Sequence, residues 1–379
     1  MISIAAAVAF AYALLSLPVA NAFPKAPPSS RDQQPLLPCE VFDFIVPVQA
    51  SNDSGVLLPA AVYQISASYC PPTIFVASRA RTVQLLIHGA TANKYYWSAL
   101  GPVGAGYEEE QYSWIDVARS QGYHTVAIDR LGVGNSSHPD PLDVRLPLDA
   151  DITSQIIHQL RTKPLPISSS QNLQNFDSFD RVILAGHSIA SVIINYLIVH
   201  EPEVADAVVL TGYVHIFTKV STSGQQFAPA ASIFPQRFPG LDPGYQTVVS
   251  AENMRESFFS ANGTFDPLIP TINWEREDVQ ATGEVQSLLS LLTSSFATAP
   301  ATGFKAPIAL VIGQNDEVLC DSDCDEGDSN LAAMSESYFP DSRAFEPMVI
   351  PNTGHFLNLH YSARETFGRV HEWLEEVGF

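Results

Sequence analysis

Short apolar runs, each about as long as a β-strand, recur along the chain from residue 41 to residue 350. Val and Ile are frequent in them, and several runs are apolar at nearly every position, which is typical of strands buried on both faces of a parallel sheet. The pattern predicts eight strands, at residues 41–48, 64–70, 82–88, 124–129, 181–185, 207–211, 307–313 and 345–350.

Between these runs, apolar residues recur at the spacing of an amphipathic helix. The pattern predicts helices at residues 113–121, around 152–160, at 191–200 and at 356–377. The first two strands follow each other without a helix, whereas the later strands alternate with helices. This alternation predicts an α/β fold in which a mainly parallel eight-stranded sheet is flanked by helices on both sides.

One connection is too long for a simple crossover between strands. Residues 217–303 separate the sixth and seventh predicted strands, and they are rich in Phe and interrupted by Pro and Gly. We predict that this segment is a helical cap, or lid, inserted between strands 6 and 7. The core is then formed by residues 39–216 and 304–379.

The first 22 residues carry no charged side chain, and the apolar run at 4–17 is followed by Pro18 and by Ala20-Asn21-Ala22. This pattern is typical of a secretory signal peptide cleaved after Ala22, although no Lys or Arg precedes the apolar run. A membrane anchor is the alternative, but the run is shorter than the ~20 residues of a spanning helix. Residues 23–38, with five prolines, read as an extended tail. We therefore expect a secreted, extracellular protein without a stable membrane anchor.

Composition supports a globular protein and excludes one class of partner. Of the 379 residues, 46% are hydrophobic and 16% are charged, so there is ample material for a core. The 40 acidic and 19 basic residues give a net charge of -21, and no basic stretch appears. A nucleic-acid partner is not expected, because binding a phosphate backbone needs clustered Lys and Arg.

The chain has four cysteines, an even number that favours two disulfides in an oxidising compartment. Three pairings are formally possible. Cys39 with Cys70 and Cys320 with Cys324 is the favoured one, since each bridge then joins partners that are close in sequence. A zinc site at the second pair is disfavoured, because no further pair of ligands lies at metal-finger spacing.

A candidate nucleophile lies between the fifth predicted strand and the helix that follows it, in Gly186-His187-Ser188-Ile189-Ala190. A nucleophile elbow needs small residues two before and two after the serine, because the sharp turn brings the flanking backbone against the neighbouring strand and helix. Gly186 and Ala190 meet this requirement, with Ala in place of the more usual second Gly.

With this elbow, most of the sequence that follows the predicted signal peptide resembles the α/β-hydrolase superfamily. His88-Gly89-Ala90-Thr91 ends the third strand as the His-Gly motif of the family does, and the resemblance implies an oxyanion hole formed by the backbone N–H groups of Ala90 and Ile189. Residues 129–136 resemble the structural turn after the family's fourth strand. N-glycosylation sequons occur at Asn52, Asn262 and Asn135, and we expect Asn135 to be the poorest acceptor because it belongs to this packed turn.

A serine hydroxyl needs a base to take its proton and an acid to orient that base. The fold supplies them in the order Ser, acid, His. Asp316 stands in the loop after the seventh strand, and His355 follows the eighth strand in Pro351-Asn352-Thr353-Gly354-His355. We therefore predict a catalytic triad of Ser188 as nucleophile, Asp316 as acid and His355 as base.

Other candidates for the acid and the base fit less well. His187 is expected to point along the elbow, and His88 to organise the oxyanion turn, while His360 and His215 lie on the terminal helix and after the sixth strand. Glu317 is beside the position where the family places its acid. A serine at the elbow also argues against an epoxide hydrolase or a haloalkane dehalogenase, which the resemblance associates with an elbow Asp.

The acidic run at residues 321–328 does not match a calcium loop of the EF-hand type. Counted from Asp321, the sixth and twelfth positions hold Glu326 and Ala332 where Gly and Glu are needed. We expect a solvated acidic loop and no metal site, and the predicted triad requires no cofactor.

These features predict a secreted serine hydrolase that cleaves carboxylic esters of small hydrophobic molecules, as an esterase, lipase or lactonase does. A peptidase, a thioesterase or a carbon-carbon hydrolase would use the same triad. A non-catalytic binding protein on this fold is less favoured, because all three triad residues are present.

Overall fold

The computed structural model describes residues 38–53, 55–167, 178–215, 224–259, 263–293, 299–320, 323–326 and 329–379. The predicted signal peptide, all but the last residue of the predicted tail, and the sequon residue Asn262 lie outside the described residues.

The centre of the molecule is an eight-stranded sheet. Its strands are β1 (Glu40–Val48), β2 (Ala61–Cys70), β3 (Thr82–Ile87), β4 (His124–Ile128), β5 (Arg181–His187), β6 (Ala207–Thr211), β7 (Ile308–Gly313) and β8 (Phe345–Ile350). The spatial order is β1-β2-β4-β3-β5-β6-β7-β8. β2 runs antiparallel to both β1 and β4, and all other neighbours are parallel. The predicted mainly parallel sheet of eight strands is therefore confirmed.

Both faces of this sheet are covered. Successive strand residues face opposite sides of a sheet, and in β7 Ile308, Leu310 and Ile312 belong to one apolar core while Ala309 and Val311 belong to the other. The helices are α1 (Glu109–Tyr112), α2 (Trp114–Ser120), α3 (Leu146–Thr162), α4 (Ile189–His200), α5 (Ala230–Ile233), α6 (Ala251–Phe258), α7 (Ile269–Arg276), α8 (Thr282–Thr293), α9 (Leu331–Met334) and α10 (Ala363–Glu376). The first core includes residues of α3 and α4, and the second includes residues of α2 and α10.

The C-terminal segment differs from its prediction as one long helix. A short 3-10 turn at Leu357–Leu359 is followed by α10, which begins only at Ala363. Between the two, the buried His360 side chain bonds to the backbone of Gly354 and Phe356. These contacts fix a non-helical path that the helical spacing of apolar residues does not reveal.

The described residues between β6 and β7 contain α5 to α8, as a helical insertion would, but also a small antiparallel sheet. Its strands are Phe227–Pro229, Tyr245–Val248 and Gln280–Ala281. Strands of two to four residues are too short for an alternating pattern to indicate them. Among the helices in the described part of the chain, none has the length and apolarity needed to cross a membrane.

Cys39 is bonded to Cys70 and Cys320 to Cys324, which is the pairing favoured from the sequence. The first bridge joins the start of β1 to the end of β2, where Glu40 pairs with Tyr69. The second lies in the loop that follows β7.

The turn at residues 129–136 is packed as expected, because residues 129–133 and 136 are buried, but the Asn135 side chain itself is exposed. Burial therefore does not separate this sequon from the exposed Asn52, and its rank as the poorest acceptor stays a prediction.

Candidate active site

Ser188 occupies a strained turn between β5 and α4. Its backbone has φ 55° and ψ -119°, a region that a non-glycine residue enters only at a cost. The turn is held by a hydrogen bond from Ser188 N–H to the carbonyl of Thr211 on β6, at 2.8 Å. The strain therefore persists because the neighbouring strand and helix fix both sides of the turn.

The small residues around Ser188 have the steric role that an elbow requires. A side chain at Gly186 would bring its Cβ to 2.5 Å from Ile194 Cδ1 and to 3.0 Å from the carbonyl carbon of Ala190. Ala190 itself is completely buried. Larger residues at these two positions would push α4 away from β5.

A chain of hydrogen bonds links Asp316, His355 and Ser188. The Nδ1 of His355 lies 2.8 Å from Asp316 Oδ2, and its Nε2 lies 2.8 Å from Ser188 Oγ. Asp316 is fully buried, and its Oδ1 accepts from the backbone N–H groups of Val318 and Leu319. The second oxygen can then accept from His355 Nδ1–H, which leaves Nε2 as the acceptor that faces the serine hydroxyl.

The loops after β7 and β8 contact each other and thereby bring Asp316 to His355. Gly313 closely approaches the carbonyls of Thr353 and Gly354, and no side chain would fit between them. The N–H of Asn315 also donates to Thr353 O at 2.9 Å. Glu317, the rejected acid, is exposed on the same loop, so only Asp316 is directed inward.

His187 lies beneath the triad rather than within it. Its ring stacks on Tyr96 at 4.7 Å and lies 5.1 Å from the ring of His355. Its Nδ1 donates to Thr211 Oγ1, which in turn donates to Gly186 O. Burial lowers the pKa of His187 well below the usual histidine range, so the ring is neutral and packs as an apolar support.

His360 has a structural role that the sequence did not reveal. Its Nδ1 donates to Phe356 O at 3.0 Å, and its Nε2 accepts from Gly354 N–H at 3.1 Å. These two backbone groups lie immediately before and after His355. The described contacts of His215 are instead with Tyr213, Ser335, Tyr338 and Phe339, outside the triad.

The sequence comparison agrees with this geometry. Residues 84–367 match the profile of the alpha/beta hydrolase family, a segment that includes Ser188, Asp316 and His355. The chain belongs to the alpha/beta hydrolase family. The resemblance noted from the sequence motifs is thus confirmed, and so is the fold expected from it.

Solved structures of other proteins share the fold of this α/β-hydrolase. A lipase candidate from Acinetobacter baumannii is 15% identical, with a TM-score of 0.51 over 88% of this chain and 92% of the other. A thermophilic esterase from Thermogutta terrifontis is 16% identical, with a TM-score of 0.48 over 89% and 100%. A peroxisomal alpha-beta-hydrolase from Saccharomyces cerevisiae is 14% identical, with a TM-score of 0.49 over 90% and 90%. At 15% identity the Acinetobacter baumannii structure shows the fold alone. No curated protein sequence matches the chain.

Two turns of this α/β-hydrolase flank the Ser188 hydroxyl. A Cβ at Gly89 would lie 3.2 Å from Ser188 Cβ, so the backbone of the His-Gly turn passes directly beside the serine. Ile189 follows Ser188 directly and is the first residue of α4. The amides of Ala90 and Ile189 thus belong to the two backbone segments next to Ser188.

The turn at residues 129–136 is organised by a buried ion pair. The Asp129 carboxylate is bonded to Lys94 Nζ and accepts from the backbone N–H groups of Lys94 and Asn135. Both side chains are almost completely buried. Asp129 therefore has the structural role that the resemblance implies.

Among the described residues, no group of three or more His, Cys, Asp or Glu could hold a metal ion. Residues 321, 322, 327 and 328 of the acidic run lie outside the described residues. A cavity of about 890 Å³ opens between residues 93–105 of the core and residues 237–241 and 275–278 of the insertion. Charged groups such as Arg237, Arg276 and Asp278 line it, and Ser188 and His355 do not, so we do not assign the substrate to it.

Proposed function

We propose that this protein is a serine hydrolase that cleaves carboxylic esters of small hydrophobic molecules. The observation that carries the proposal is the continuous pair of 2.8 Å contacts from Asp316 through His355 to Ser188, with the serine in a strained turn. A histidine oriented in this way can take a proton from the serine hydroxyl.

In the proposed reaction, Ser188 Oγ attacks the ester carbonyl carbon while His355 Nε2 takes its proton. The carbonyl oxygen becomes an oxyanion, which accepts hydrogen bonds from the N–H groups of Ala90 and Ile189. When the tetrahedral intermediate collapses, the carbon-oxygen bond to the alcohol breaks and His355 returns the proton to the alcohol. Water, whose proton passes to the same histidine, then attacks the acyl carbon. The bond from this carbon to Ser188 Oγ breaks, His355 returns the proton to the serine, and the acid is released. The Asp316 carboxylate stabilises the imidazolium in both steps.

The preference for hydrophobic esters rests on the aromatic residues that surround the base. Phe258, at the end of α6 in the insertion, lies 6.0 Å from the ring of His355 and 5.0 Å from the ring of Phe356. Phe259 packs on Phe356 as well. Segment 217–303 would act as a cap whose aromatic side chains cover the catalytic serine and favour apolar acyl or alcohol groups.

We also propose that the protein is secreted. The apolar, uncharged residues 1–22 support this as a signal peptide, and the two disulfides are typical of proteins from oxidising compartments. Cleavage after Ala22 predicts a mature amino terminus at Phe23, which amino-terminal sequencing of the secreted protein tests.

Labelling with a fluorophosphonate tests the nucleophile. We expect a covalent adduct on Ser188 in the wild-type protein and none in Ser188→Ala. Ser191→Ala is the matched control, because Ser191 is buried three residues later and bonds only to backbone carbonyls among its described contacts. Folded wild-type protein without an adduct on Ser188 would contradict the enzyme proposal and favour a binding protein.

A panel of substrates tests the bond that is cleaved. We expect hydrolysis of p-nitrophenyl esters, with a preference that rises with acyl chain length, and activity on a lactone. Cleavage of aminoacyl anilides without cleavage of any ester would instead identify a peptidase.

A further inference from the structure

Arg130 is a buried cation in direct contact with the turn that precedes Ala90. Its Nε donates to His88 O at 3.1 Å, and its Nη2 lies 3.4 Å from Gly89 O. The backbone N–H of Arg130 also donates to His88 Nε2, while His88 Nδ1 donates to Gly89 O at 2.8 Å. Two donors, one from each residue, therefore converge on the single carbonyl of Gly89.

This carbonyl belongs to the same peptide unit as the N–H of Ala90. Because a trans peptide is planar, its C=O and N–H point in opposite directions. Donors that fix the Gly89 carbonyl toward Arg130 and His88 therefore fix the Ala90 N–H in the opposite direction. Rotation of this peptide would remove the Ala90 donor from the place where it is needed.

Arg130 is held in turn by two acidic side chains from different parts of the chain. Its Nη1 bonds to Asp149 of α3 and to Glu284 of α8, and all three side chains are at most 3% exposed. Glu284 comes from the insertion between β6 and β7. A second contact from the insertion reaches the same turn, where Asp278 N–H donates to Thr91 O at 2.6 Å.

We propose that Arg130 is a positioning residue for the oxyanion hole, and that Glu284 of the insertion holds Arg130 in place. The inserted segment would then contribute to rate, by keeping the Gly89–Ala90 peptide in its productive orientation, as well as covering the substrate. This inference rests on the proposed esterase function for its kinetic consequence, but the contacts themselves make a structural prediction that does not depend on it.

The main test is Glu284→Leu, which removes the carboxylate and keeps an apolar side chain of similar size. We expect kcat to fall about 10- to 100-fold with KM changed less than about threefold, because a displaced oxyanion donor weakens the transition state more than the bound substrate. A trifluoromethyl ketone, which forms a tetrahedral adduct on the serine, should lose affinity by the same factor as kcat/KM. Glu284→Gln keeps an acceptor oxygen and should restore most of the activity.

Two variants serve as matched controls. Asp53→Leu breaks another ion pair with a buried arginine, Arg145, and has no described contact with the oxyanion turn. Ser287→Ala removes a bond from the same helix α8 to the backbone of Leu146. Both should lower stability and keep kcat within about twofold of wild type, since neither reaches His88 or Gly89.

Hydrogen exchange separates failure of this inference from failure of the proposed function. Peptides that cover residues 86–92 should exchange faster in Glu284→Leu than in the wild type or in Asp53→Leu, whether or not the protein hydrolyses esters. Unchanged exchange together with unchanged kcat would overturn the inference. If Glu284→Leu does not fold, Arg130→Lys carries the same test. A lysine keeps the charge but has one nitrogen in place of the three with which Arg130 reaches His88 O, Gly89 O and Glu284.

Discussion

His360 holds the turn that carries His355, the proposed catalytic base. Its ring is almost completely buried, and burial lowers its pKa to about 4, so at neutral pH the ring is uncharged. Only the neutral ring can donate from Nδ1 to Phe356 O and accept at Nε2 from Gly354 N–H. The two bonds hold the backbone on both sides of His355.

Replacing His360 with alanine should therefore reduce catalysis. In His360→Ala, the Gly354 N–H loses its acceptor, and we expect kcat to fall about tenfold because small displacements of a catalytic base are costly. His371→Ala is the matched control, since His371 makes the same kind of bond to Phe367 O on α10 and contacts Gln84 instead of the triad turn. Steady-state kinetics on both variants tests this prediction. Equal losses of kcat in His360→Ala and His371→Ala would show that the effect comes from a general loss of stability.

The triad and His360 differ in how far sequence reveals them. Ser188, Asp316 and His355 were predicted because each follows a recognisable strand and the order of the three is that of the fold. The role of His360 depends on a turn that interrupts the expected terminal helix, and no local pattern indicates that turn. Arg130 was part of a recognised motif, but its bond to Glu284 joins residues far apart in sequence.

Among the elements, the loop after β7 is fixed by several hydrogen bonds within the loop itself. Besides the bonds to the Asp316 carboxylate, Cys320 N–H donates to Asp316 O at 2.9 Å and Cys324 N–H donates to Gln314 O at 2.8 Å. The Cys320–Cys324 bridge closes this loop on itself. We infer that the bridge restrains the acid of the triad more than it stabilises the whole fold.

Removing the two disulfides should separate these effects. The double variant Cys320→Ser, Cys324→Ser should lower kcat by about three- to tenfold, because Asp316 becomes less well ordered, with a small change in thermal stability. The double variant Cys39→Ser, Cys70→Ser is the control: its bridge spans 31 residues at the opposite edge of the sheet. It should lose roughly 3–4 kcal/mol of stability by loop entropy and retain kcat in the folded protein. The inference would be contradicted if the Cys320/Cys324 variant lost mainly stability and the Cys39/Cys70 variant lost mainly kcat.

The strands of the core were predictable and those of the insertion were not, for one physical reason. Core strands such as β6 and β7 are buried on both faces. They are therefore apolar at nearly every position, and this run of apolar residues is visible in the sequence. The three strands of the insertion are two to four residues long and pair with each other at a distance in sequence. Their stability comes from that pairing, so a local pattern carries little information about them.

In the molecule as a whole, two sets of buried ionisable groups oppose each other in their effect on stability. Burial raises the pKa of the carboxyl groups of Asp149, Glu277 and Asp278. Burial lowers the pKa of the imidazoles of His88, His124, His187, His360 and His371. The carboxyl groups therefore favour the folded state at low pH, and the histidines favour it at high pH.

Two variants should reveal separately how each set of groups makes the free energy of unfolding depend on pH. The pKa of His371 falls from 6.5 to about 4 on folding. Its contribution to the free energy of unfolding is therefore complete above about pH 6.5 and is lost as the pH falls toward 4. His371→Gln should gain stability relative to the wild type over that range, by about 3 kcal/mol.

The pKa of Asp149 rises from 3.8 to about 7, because burial and Glu284 oppose its ionisation more than Arg130 favours it. Its contribution is complete below about pH 4 and is lost as the pH rises toward 7, so Asp149→Asn should gain relative stability in the opposite direction. Urea unfolding of the three proteins between pH 4 and 7 measures both differences, and parallel profiles would show that neither group changes its pKa on folding.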